Sequence, residues 1–130
     1  MSVQRISLVQ QIIEMSQQEE TKILYHYTNQ EGLSGILMTN QLNPSLKSEN
    51  DKDARYGDGQ YFSDIIPKTK TSNQLSRKFI GIPYRGDKYT NYLEIDVTGL
   101  NIIQARDGVY VHPSQEPLVL TARIVSVGEN

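Results

Sequence analysis

Three short stretches carry side chains that could do chemistry. Tyr25-His26-Tyr27-Thr28 ends a run of β-favouring residues just ahead of a helix start. Gly57-Asp58-Gly59-Gln60-Tyr61-Phe62-Ser63-Asp64 sets two glycines before an aromatic pair. Ser114-Gln115-Glu116-Pro117-Leu118-Val119-Leu120 puts an acid ahead of an apolar strand. The glycines allow a sharp turn and a close approach of backbone to a ligand. Tyrosine both stacks and hydrogen-bonds, and the aromatic inventory of eight Tyr, two Phe and no Trp favours that dual use. Each stretch also has a structural reading. His26 would be a satisfied strand histidine, the Gly-x-Gly turn lacks a phosphate-loop lysine, and Glu116 would be a solvated loop charge. Other chemistries fail on residue type. The chain has no cysteine, which excludes a thiol nucleophile, a disulfide scaffold and a zinc ribbon. Of its two histidines, His112 stands beside Pro113 and reads as structural. No second histidine has metal-ligand spacing and no serine elbow is present, so metal and hydrolase readings fail and no metal is expected.

The elements that must position these stretches are legible in outline. A chain of 130 residues is one domain's worth. Its 37% hydrophobic and 22% charged composition is that of an ordinary globular protein, and no apolar run reaches the roughly 18 residues of a membrane span. No basic segment followed by an apolar core opens the chain, so no signal peptide is expected. Residues 1–20 read as an amphipathic helix over Val3–Met15 that frays into a polar run, and 21–130 as the domain. Lys22–Thr28 reads as a strand, and Asn29 as the cap of a helix closed by Asn40. Lys47–Asp58 is a surface loop by composition, followed by a short strand through Tyr61. Thr69–Phe79 reads as a helix with a Ser or Thr cap, and Tyr89–Val97 as a strand. Asn101–Gln104 and Val109–Val111 flank an Asp107-Gly108 hairpin signal, and Leu118–Val127 reads as the last strand. The pattern is α+β, with a small split β-sheet core flanked by helices.

Taken together, "YHYT", "GDGQYFSD" and the acid before the final strand resemble the H-Y-E/D branch of ADP-ribosyltransferases, which includes the poly(ADP-ribose) polymerases with their G-x-G-x-Y-F-x-D motif. "LYHYT", "GLSGIL", "RYGDGQYFSDI", "YLEIDVTGL" and "RIVSVG" are similar to the ADP-ribosyltransferase toxin family with the H-Y-D signature. The resemblance runs from about Ile23 to Gly128 and implies the ADP-ribosyltransferase fold.

It further implies that NAD is the substrate and that nicotinamide is released, through a cation-like transition state at the adjacent ribose. By position in the motifs, His26 would bond a ribose hydroxyl of the adenosine half, and the Tyr27 backbone would pair with the nicotinamide carboxamide. Thr28 would add a hydroxyl, and Tyr61 would stack on the nicotinamide ring. Gly59 and Ser63 fall in the same NAD-binding motif. Glu116 would be the catalytic acid beside His26 and Tyr61. The signature carries Asp there, whereas this chain has Glu directly before proline, and Asp64 is the alternative acid. The expected function is mono-ADP-ribosyl transfer to a macromolecular acceptor, protein or nucleic acid. The rivals are an NAD glycohydrolase and a non-enzymatic NAD- or ADP-ribose-binding module. A toxin domain of this kind implies cytoplasmic action, at home or after delivery to a target cell. It also implies a neutralising immunity protein as partner and no membrane. Net charge of −2 offers no argument for nucleic acid, but Lys68, Lys70, Arg77, Lys78, Arg85 and Lys88 form a basic strip. That strip is either a solvated face or a surface beside the cleft for NAD phosphates or an acidic acceptor.

Overall fold

A computed structural model describes residues 7–9 and 21–130 of the chain. The amphipathic helix expected over Val3–Met15 lies outside the described residues except at 7–9. The elements run in the order β1 (Ile23–Thr28), α1 (Gln30–Thr39), β2 (Gln41–Leu42), β3 (Gly59–Phe62) and α2 (Ser72–Ile80). After a 3-10 turn at Gly86–Lys88 come β4 (Asn91–Asp96), β5 (Ile103–Arg106), β6 (Val109–Pro113), β7 (Leu118–Val119) and β8 (Ile124–Glu129). This is a small α+β protein with few helices and antiparallel sheets, one ordered β1-β4-β8, one β3-β6-β5, and a short pair β2-β7.

Local chemistry explains the elements. In β4, Asn91, Leu93 and Ile95 are buried and alternate with half-buried Tyr92, Glu94 and Asp96, the period-2 pattern of a strand. Asn29 caps α1 by accepting from the Gly32 N–H at 2.8 Å, and Asn40 ends it in the left-handed region at φ 56°. Thr71 and Gln74 form a reciprocal capping box that starts α2 three residues later than the expected Thr69. The last strand departs from expectation more sharply. Leu118–Val127 is broken into β7 and β8 by a turn in which Ala122 takes φ 61°, and the Arg123 guanidinium holds that turn on the carbonyls of Asp96 and Thr98. Apolar content alone did not reveal the turn, since Leu120 at its start is itself buried.

Two cores result. Leu24, Leu33, Ile36, Phe62, Leu93 and Ile95 fill the space under α1. Leu75, fully buried on α2, packs with Tyr27 and Tyr89, joined by Phe79, Tyr25 and Tyr92. Four of the eight tyrosines therefore gather on the α2 face of β1. Among the described residues no helix is long and apolar enough to cross a membrane.

Candidate functional site

The two larger sheets meet where β1 touches β3, and they do so at a bridge. Tyr25 and Ser63 exchange both backbone hydrogen bonds at 2.8 Å each. Strand alternation then aims the N–H and C=O of Tyr27 toward the same edge, but there β1 has diverged from β3. The split is closed at one point by a side chain. The Nδ1 of His26 lies 2.8 Å from the Tyr61 carbonyl, a group that a neighbouring strand would otherwise pair. A carbonyl only accepts, so Nδ1 carries the proton and the Nε2 of the neutral ring is an acceptor. Burial pushes the imidazole pKa below its ordinary 6.5, against a smaller upward pull from that carbonyl, and keeps the ring neutral at physiological pH.

The sign of that shift sets a pH dependence. The unfolded chain binds a proton at His26 near 6.5, whereas the folded chain resists it. Stability is therefore full above 6.5 and falls as pH drops below it toward the lower folded value. Denaturant titrations between pH 7.5 and 5 are expected to show this loss, and His26→Gln is expected to remove its share of the slope.

Around the split lies a cleft of about 260 Å³ lined by His26, Tyr27, Thr28, Tyr61 and Ser63. Phe79 and Tyr89 add an aromatic wall, with their rings edge to face at 5.3 Å. Tyr61 is held at its hydroxyl, which donates to the Gly57 carbonyl at 2.7 Å and accepts from the Tyr56 N–H at 2.7 Å. The two bonds fix the ring face by tying it to the turn that precedes it. Burial pushes the phenols of Tyr25, Tyr27, Tyr61 and Tyr89 upward, so these four stay neutral.

Of the expected site residues, Gly59 and Ser63 also hold structural places. Gly59 is absent from the cleft lining. It packs closely against β6, where a Cβ would stand 2.3 Å from the His112 carbonyl oxygen. Ser63 lines the cleft, but its hydroxyl is engaged, donating to Gly108 O at 2.7 Å and accepting from the Ile65 N–H at 3.0 Å. His112 bonds the Asn101 carbonyl through Nδ1 at 2.9 Å, away from the cleft. Among the described residues no group of three or more His, Cys, Asp or Glu could hold a metal ion.

The acids are distributed as follows. Asp64 is exposed and accepts from the Tyr110 hydroxyl at 3.1 Å, outside the cleft lining. Glu116 is exposed on the loop before β7, and its carboxylate is not part of that lining either. Its backbone is nonetheless tied to the site. Gln60, next to Tyr61 and only 1% exposed, donates through Nε2 to the carbonyls of Glu116 at 2.8 Å and Leu42 at 3.1 Å. The buried amide thus fastens the third motif to the second. The acid that does line the cleft is Asp53, from the loop read as solvated surface. Both its oxygens are engaged, by Lys88 at 2.7 Å and Asn50 at 2.8 Å. Lys52 and Arg55 from the same loop add positive charge to the rim. Sequence reasoning missed this loop's part in the site. Its one signal was Ala54, an apolar residue among polar ones, which is fully buried and folds the loop inward.

The basic strip is divided by the fold. Lys88 points into the cleft, Arg85 is paired with Asp87 at 3.0 Å, and Lys70, Arg77 and Lys78 line a second, more open depression.

A family model described as HYD1 signature containing ADP-ribosyltransferase matches residues 24–124 of the chain. No curated protein and no solved structure matches it.

Proposed function

Since the chain belongs to the HYD1-signature ADP-ribosyltransferase toxin family, we propose that it transfers one ADP-ribose unit from NAD to a macromolecular acceptor. The split pair of antiparallel sheets is read as the ADP-ribosyltransferase fold, with 21–130 as the catalytic domain. The observation that carries the reading is the divergence of β1 from β3 after the Tyr25–Ser63 bridge, with His26 and Tyr61 joined across it.

In the reaction, the bond between the nicotinamide nitrogen and the ribose anomeric carbon breaks, and its electron pair leaves with nicotinamide. An acceptor lone pair forms the new bond at that carbon and the acceptor's proton passes to solvent. The chain's part is to bind, orient and offset charge. The Tyr27 N–H donates to the carboxamide oxygen while its C=O accepts from the carboxamide NH₂. The Tyr61 ring stacks on the nicotinamide, a cationic ring suited to an aromatic face. His26 Nε2 accepts from a ribose hydroxyl of the adenosine half, and the Thr28 hydroxyl faces the same ligand. Glu116 accepts from a hydroxyl of the nicotinamide-side ribose and offsets the positive charge that develops there. Asp53 is less suited to that task, because Lys88 and Asn50 already occupy its oxygens. As a toxin domain, the protein acts in the cytoplasm of a target cell and is held in check by a neutralising partner.

The test is the fate of NAD labelled in its adenylate half, incubated with the protein and a cell lysate. The label is expected on a macromolecule. Label found solely as free ADP-ribose would reassign the activity to NAD hydrolysis.

A further inference from the structure

Beside the cleft lies the second depression, and its lining is one-sided in charge. Arg77 and Lys78 stand on α2 with Gln74 at helical spacing, Lys70 precedes the helix, and Arg106 comes from the end of β5. Arg55 completes it from the loop ahead of β3, giving five cations and no acid in the lining. Local pairing cancels little of this charge. Lys78 reaches Asp107 at 3.4 Å from the margin, while the Arg106 guanidinium donates to the Lys78 carbonyl.

The depression also holds an aromatic face. Tyr56 is 39% exposed, with the guanidinium carbons of Arg55 and Arg106 each 5.8 Å from its ring centroid. Arg55 and Tyr56 line both the depression and the NAD cleft. Because the Tyr56 N–H also holds the Tyr61 hydroxyl, the two sites share a wall.

We propose that this depression binds the acceptor and that the acceptor is a single-stranded polynucleotide. Clustered cations neutralise backbone phosphates, and an exposed tyrosine flanked by arginines offers bases a stacking surface. An acidic polypeptide would satisfy the charge but leave the aromatic face unused. The shared wall would bring a base nitrogen or ribose hydroxyl of the strand to the anomeric carbon as nicotinamide leaves. The net charge of −2 does not oppose this, because screening leaves the local cluster in control at short range.

The inference rests on the ADP-ribosyl-transfer reading, so binding and chemistry are measured separately. A fluorescent 20-nucleotide RNA of mixed sequence is titrated with the full chain by anisotropy, without NAD. Neutralising about four phosphates would make affinity fall about 50-fold between 50 and 200 mM salt. Lys70→Ser/Arg77→Ser alters residues outside the NAD cleft. It is expected to bind about tenfold more weakly and to reduce the salt slope by about 1.4. With biotinylated NAD, label is expected on the RNA for the wild type and at least fivefold less for the variant at matched RNA concentration. Nicotinamide released to water without RNA is expected to stay the same in both. No RNA binding, or equal binding by the variant, would overturn the proposal while leaving nicotinamide release intact. So would equal binding of poly-glutamate, or label confined to protein while nicotinamide is released.

Discussion

Glu116→Gln is expected to lower the rate of nicotinamide release by about a hundredfold or more while changing NAD affinity by less than about threefold. The amide is nearly isosteric and removes the negative charge. That charge matters most as the ribose becomes cationic, so the loss falls on turnover rather than on binding. The loop keeps its place in the variant, because Gln60 grips the Glu116 backbone carbonyl and not the side chain. Asp53→Asn is the matched comparison. It breaks the ion pair with Lys88 at the cleft wall and is expected to cost less than about tenfold. Steady-state kinetics on both variants decide which acid serves the reaction. A silent Asp53→Asn variant beside an active Glu116→Gln variant, both folded by circular dichroism, would transfer the role to Asp53.

Gly59→Ala is expected to have the largest effect on stability. The added methyl would lie 2.3 Å from the His112 carbonyl oxygen and 2.9 Å from Val111 Cγ1. Neither side can yield easily. Gly59 pairs with Pro113 on β6, and on its other edge it exchanges hydrogen bonds of 2.8 and 3.0 Å with Ser45. Relieving the overlap means displacing β3 from β6, at about 2–4 kcal/mol, or a fall in Tm of about 8–15 °C. Gly35→Ala is the control, since its Cβ would meet nothing within 4 Å on α1. There the gain in helix propensity is expected to leave stability unchanged or raise it by up to about 1 kcal/mol. Thermal unfolding of the two variants reads the contrast directly. Activity is expected to fall with Gly59→Ala as well, because Tyr61 rides on the same strand.

The sequence carried what depends on neighbours along the chain. The cap at Asn29, the Gly108 turn between β5 and β6 at φ 79°, and the alternation of β4 are local patterns, and each element lies within a few residues of its expected place. Motif resemblance implied that His26 and Tyr61 serve one NAD site, but the bond from His26 to the Tyr61 carbonyl, across 35 residues, had no signal in the sequence. What was hidden depends on tertiary packing. The turn inside Leu118–Val127 is set by Arg123 reaching back to Asp96 and Thr98, which no local signal announces. Gly59 lies in the motif expected to bind NAD, and its missing side chain is explained by the approach of β6. Nothing along the chain marks Gln60, whose buried amide couples two motifs 56 residues apart. Asp53 sat in a stretch whose charge suggested solvent, and the burial of Ala54 turned it toward the cleft.

The most direct test of the account is nicotinamide release from NAD by the purified protein with cell lysate supplying acceptor, wild type beside Tyr61→Ala. Release by the wild type, reduced at least tenfold in a folded Tyr61→Ala variant, is the predicted result. No release by either protein, at NAD concentrations where the wild type demonstrably binds it, would contradict ADP-ribosyl transfer and leave a protein that holds NAD without cleaving it.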